Sequence, residues 1–161
     1  MNKKKLLLLI QLPPPVHGVT ACNEAIANSC DKSSVNIIPL NYSRTIRDMQ
    51  VFSFWKYIHF FVVLAKLLFT LILAKPEKCY FTIAPLGGAF IRDAIIVGFL
   101  KIFRVKVVLH LHGKGISDVS NYLKLWLYKK VFRNTTIICL SPTLSKDIQN
   151  ISATKIRKKL R

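Results

Sequence analysis

The sequence predicts an α/β fold, a Rossmann-like parallel sheet of five or six strands with helices on both faces. Three observations predict it. Short apolar runs rich in Leu, Ile and Val alternate with longer segments of helical periodicity. The runs are apolar almost throughout instead of alternating with polar residues, as strands covered on both faces are. The helical segments between them are long enough for the crossover that a parallel pair requires. With 161 residues, 52% of them hydrophobic, the chain can bury one core and is too short for two ordinary domains.

The elements follow in order. Lys5–Leu12 is a first strand, stopped by Pro13-Pro14-Pro15. Val19–Asp31 has apolar residues at three- and four-residue spacing and reads as a helix. Val35–Leu40 is a β-branched second strand, and Phe52–Ala74 a long helix closed by Lys75-Pro76. Lys78–Ala84 gives a third strand and Phe90–Phe103 a helix. Val105–Leu111 is the fourth strand, followed by a basic amphipathic helix over Asp118–Arg133. Thr135–Leu140 is the fifth. Ser141 then caps a helix that opens on Pro142 and runs to about Asn150. Residues 1–150 are thus read as one domain and 151–161 as a basic tail, with Lys155-Ile156 as a possible sixth strand.

The formal charge is +18, from 25 Lys and Arg against 7 Asp and Glu. Residues 101–161 hold 14 basic and 2 acidic residues, against 11 and 5 in residues 1–100. Such a field attracts polyanions: nucleic acid, phosphorylated sugars or an anionic membrane surface. Cys22, Cys30, Cys79 and Cys139 form no C-x-x-C pair and have no His at zinc-finger spacing, so they read as reduced structural thiols of a cytoplasmic protein. Met1–Leu12 resembles a signal peptide, but its apolar run is short and prolines replace a cleavage site. Val51–Ala74 is long enough to span a bilayer, yet Lys56, His59, Lys66 and Thr70 fall on one stripe of it. It is expected to be a deeply packed helix with one wet edge, or a helix lying in a membrane interface.

Parallel sheets bind ligands at the carboxyl ends of their strands. Three strand ends here carry unusual loops. In Pro13–Thr20, His17 and Gly18 precede a helix whose N-terminus favours an anion. After the third strand, Pro85-Leu86-Gly87-Gly88 is a second turn of this kind. After the fourth come His110, His112, Gly113 and Gly115, with both histidines on one side of the strand. Two imidazoles can ligate a metal, but no third ligand stands near in sequence, so no metal site is expected. In the common strand order 3-2-1-4-5, strands one and four are neighbours, which would bring His17-Gly18 and His112-Gly113 to one crevice.

These residues resemble a known family. Pro14-Pro15-Val16-His17-Gly18-Val19, Phe90-Ile91-Arg92-Asp93, Val107–Gly113 and Ile138-Cys139-Leu140-Ser141-Pro142-x-Leu144 are similar, in order and spacing, to the N-terminal domain of retaining GT-B glycosyltransferases of the family 4 type that build bacterial surface polysaccharides. The resemblance implies two Rossmann-like domains facing a cleft, this one mainly on the acceptor side. By position, Gly18 would approach the donor phosphates and His112 would reach the transferring sugar; His17, Gly87, Gly88, His110 and Gly113 are the further candidates for substrate and phosphate contacts. It implies a nucleotide-sugar donor, a glycan or lipid-linked acceptor, and no cofactor or metal. The family's E-x7-E element is absent from these residues, so a truncated or split enzyme, inactive alone and completed by a separate chain, is expected. Its place would be the cytoplasm, peripheral on the inner face of the cell membrane.

Two other classes compete. A basic nucleic-acid-binding protein accounts for the charge, but no nucleic-acid motif is present and the aromatics sit in apolar runs. A non-catalytic membrane-docking module would use the long helix and basic faces on anionic lipid.

Overall fold

The computed structural model describes residues 5–41, 54–149, 151 and 156–158. It divides into two units, Met1–Tyr80 and Phe81–Arg161, and the third strand belongs partly to each. The α/β class and parallel, helix-flanked strands are as expected.

The first unit runs β1 (Leu6–Ile10), α1 (Gly18–Ser29), β2 (Val35–Pro39), α2 (Phe54–Leu73) and the start of β3 (Lys78–Ile83). β1 and β2 pair in parallel, from Leu6 opposite Val35 to Ile10 opposite Pro39. Leu7, Leu9 and Ile10 are wholly inaccessible, which requires cover on both faces of β1 and explains why its sequence does not alternate. On the other side of β1 the chain enters β3, and the amides of Glu77 and Lys78 both donate to the Lys5 carbonyl, at 3.0 and 3.2 Å. β1 therefore lies between β2 and β3. The order 3-2-1-4-5 is corrected: β4 is not a neighbour of β1.

α2 departs from expectation as well. Only Val63, Leu67 and Leu71, one residue per turn, are buried along it. Val51–Ala74 is thus not deeply packed, although its first three residues lie outside those described. The reason is dimensional. A 20-residue helix is about 30 Å long, whereas β2, against which it packs, has five residues and forms the sheet edge. One narrow edge strand cannot cover more than a stripe of the helix.

The second unit comprises the end of β3, α3 (Gly87–Ile102), β4 (Lys106–Leu111), α4 (Tyr122–Phe132), β5 (Thr136–Cys139), α5 (Pro142–Asp147) and β6 (Ile156–Lys158). Here β4 lies between β3 and β5. β4 pairs with β5 in parallel, Val108 opposite Thr136, and β5 with β6, Ile137 opposite Ile156. The possible sixth strand is present: Ile156–Lys158 pair with β5, within the stretch 151–161 read as a basic tail. Alternate residues Val107, Leu109 and Leu111 of β4 are buried, as are Phe90, Ile96 and Leu100 of α3. Tyr128 of α4 stacks on Phe90 with ring centroids 3.9 Å apart. All four cysteines are free thiols; burial pushes the Cys79 thiol far up, leaving it inert.

α3 ends in a Schellman turn: Val105 N–H donates to the Leu100 carbonyl and Arg104 N–H to that of Lys101, both at 2.9 Å. The turn needs a left-handed residue, and Arg104 supplies it at φ 57°. A side chain with a Cβ is strained there, where glycine is not. Arg104→Gly should therefore raise stability by up to about 1 kcal/mol, read as an increased midpoint in urea with an unchanged slope.

Candidate functional site

In the first unit, the loop leaving β1 is built around its prolines. Proline removes amide donors and leaves carbonyls that need partners. Polar side chains of α1 and of the residue beyond β2 provide them. Asn23 Nδ2 donates to the Gln11 carbonyl at 3.0 Å, and Thr20 Oγ1 to that of Pro15 at 2.9 Å. Asn41 donates from Nδ2 to the Leu12 and Pro14 carbonyls and accepts the Leu12 amide at Oδ1. Thr20 and Asn23 are fully buried, and these bonds are what make their burial affordable.

The same Thr20 hydroxyl accepts the His17 amide at 2.9 Å, fixing His17 as the residue that caps α1. His17 is half-buried and Gly18, the first helical residue, is exposed. A Cβ on Gly18 would meet nothing within 4 Å, so packing does not demand glycine there.

In the second unit, β4 delivers His110 and His112 to one side, with ring centroids 4.1 Å apart. His110 is buried; His112, one residue beyond the strand, is half-buried. The loop that follows lies against the loop leaving β3. A Cβ on Gly113 would stand 2.7 Å from Cγ of Pro85, closer than any real contact, so glycine is required for close approach. Gly115 adopts φ +112°, and a Cβ there would also press on Leu86. Gly87 opens α3 at φ +73°. Its glycine is thus accounted for by backbone conformation, whereas nothing in the structure requires one at Gly88.

Two carboxylates that were not among the candidate site residues hold these loops. Asp93, fully buried on α3, accepts the Ala84 amide at 2.8 Å at the end of β3 and pairs with the Arg92 guanidinium at 2.7 Å. Burial pushes its carboxyl up, against the pull of Arg92 and the Ala84 amide. Asp147, the last residue of α5, accepts three successive amides of the β4 loop: Gly115 and Ile116 at 3.0 Å and Ser117 at 3.1 Å. The Ser117 hydroxyl adds a fourth bond at 2.7 Å. Burial opposes the ionised form of Asp147, but the Ser117 hydroxyl and these amides outweigh it and hold its carboxyl below the usual range. The following helix, α4, starts at Tyr122, capped by Asn121, instead of at Asp118. Finally, Tyr128 donates to the Pro85 carbonyl at 2.6 Å, securing the loop on which Gly113 rests.

The structure thus brings Gly113 against Pro85 and Gly115 against Leu86. The arrangement places a half-buried imidazole at the root of a loop fixed at both flanks. Such a group can donate or accept a hydrogen bond toward a ligand at the strand ends without first having to be ordered. No family model, curated protein or solved structure matches the chain.

Two predictions follow from this loop. Gly113→Ala should cost about 2 kcal/mol from overpacking against Pro85, while Gly18→Ala should be neutral or slightly stabilising; thermal midpoints of the two variants compare them directly. For Asp147 the folded pKa lies below the unfolded value, so its stabilisation is present above about pH 4. It should be lost as pH falls through the lower, folded value. Amide exchange of Gly115, Ile116 and Ser117 should accelerate across that window, and Asp147→Asn should abolish the step and weaken the loop at neutral pH.

Proposed function

We propose that this chain is the acceptor-side half of a glycosyltransferase that moves a sugar from a nucleotide-sugar donor to a glycan or lipid-linked acceptor. One observation carries the reading. Three of the four segments that resemble the family 4 type lie in the second unit, two of them supplying parts of one strand-end site and the third leading into the helix that holds it. Phe90–Asp93 brings the carboxylate that holds the end of β3. Val107–Gly113 brings His112 and the glycine that fits against Pro85. Ile138–Leu144 leads into α5, whose Ser141 accepts the Leu144 amide at 3.3 Å and whose Asp147 clamps the loop.

In the proposed reaction the acceptor hydroxyl bonds to the anomeric carbon as the bond to the nucleoside diphosphate breaks. The hydroxyl proton passes to the departing phosphate oxygen. His112 contributes a hydrogen bond to the transferring sugar, and the clamped loop keeps it in place. Fixed positive charge from a donor-binding partner domain stabilises the leaving diphosphate.

The isolated chain should therefore neither transfer sugar nor hydrolyse nucleotide sugars. Turnover should appear when a donor-binding domain bearing E-x7-E is supplied. In that assembly His112→Ala should lower kcat at least tenfold with little change in acceptor KM, since its bond is made mainly in the transition state. Wild-type turnover by His112→Ala, or clear turnover by residues 1–161 alone, would refute the reading.

A further inference from the structure

The outer face of α2 bears on the peripheral membrane placement of the transferase reading, but its geometry stands independently of that reading. Relative to buried Leu67, the residues Phe54, Ile58, Phe61, Phe69 and Ile72 all lie within about 60° of the opposite direction. All five are exposed, Phe61 by 67% and Phe69 by 66%. At the helix start Trp55 is 62% exposed. The polar residues Lys56, His59, Lys66 and Thr70 lie instead within about 100° of Leu67, on and beside the protein-facing side. The sequence reading made the polar stripe the wet edge and the apolar arc the packed one. The structure leaves the polar stripe unburied as expected, with Lys66 exposed, but the apolar arc faces outward as well.

We infer that α2 is a membrane-docking element that lies in the plane of an anionic bilayer surface, with its Phe54, Ile58, Phe61, Phe69 and Ile72 face inserted among the lipids. Apolar faces of this size are not left to water in a soluble monomer. Charge selects the occupant. The chain carries +18, and α2 has two lysines and no carboxylate. A second copy would bring the same +18 and be repelled, and nucleic acid would match the charge but not a face of Phe and Ile. An anionic bilayer satisfies both. Trp55 and Tyr57 suit the headgroup boundary, where an apolar ring and a polar edge are each accommodated.

The helix is long and apolar enough to cross a membrane. In-plane seating is favoured because Val63, Leu67 and Leu71 are taken up by its own unit, and because a crossing would carry Lys66 into hydrocarbon.

The test uses the full chain with Trp126→Phe, leaving Trp55 as the sole indole, and vesicles of phosphatidylcholine with or without phosphatidylglycerol. Trp55 emission should shift to the blue on the mixed vesicles and much less on neutral ones, and salt should weaken the binding. Bromine placed near the headgroup end of the acyl chain should quench it more than bromine at the bilayer centre. The triple variant of the exposed face, Ile58→Ser with Phe61→Ser and Phe69→Ser, should lose at least tenfold in vesicle affinity while keeping its circular dichroism. Undiminished binding by that folded variant would overturn the inference, as would equal binding to neutral vesicles. Retention in cell membranes after alkaline carbonate would overturn it in favour of a spanning helix.

Discussion

Backbone groups at strand ends must find partners once the ladder stops, and much of this molecule is organised by how they do so. Asp147 is the clearest case. One carboxylate gathers three consecutive amides and a hydroxyl of the β4 loop, so α5, which also buries Leu144, is the mount for that group. After the loop comes α4, which carries the Tyr128 that secures the β3 loop. Remove the carboxylate and the β4 loop loses its placement.

The first unit solves the same problem with amides and hydroxyls. Its β1 loop is proline-rich and presents carbonyls, so the partners are donors, from Asn23, Thr20 and Asn41. The second unit's loop presents amides, so the partner is an acceptor. Sign of the orphaned group dictates the residue type. This physical logic makes the polar residues on α1 part of the loop's construction, although on a helical wheel they look like breaks in an apolar face.

The elements were legible in the sequence because apolar runs and turn residues mark them plainly; β6 and the Ser141 cap could be read from a few residues each. Strand order could not, since local pattern carries no record of which strand sits beside which. The exposure of the apolar arc of α2 has a related cause: periodicity shows that a helix has an apolar face but not how much of it the sheet can cover. Within the site, His110 and His112 were found from alternation alone. Asp93 was read only as part of a motif, and Asp147 was missed because its partners lie 30 to 32 residues away, yet a signal existed. In a chain with only 7 acidic residues against 25 basic ones, each carboxylate stands out.

Both borders of the sheet are formed by strands that discourage company. β2 ends on Pro39, which offers no amide to an incoming strand, and β6 is three residues long and reads Ile156-Arg157-Lys158. A chain this apolar, with a continuous run of leucines at its first strand, is at risk of joining its copies into extended sheets while it folds. Among the described residues, the missing donor at Pro39 and the brevity of β6 hinder that growth.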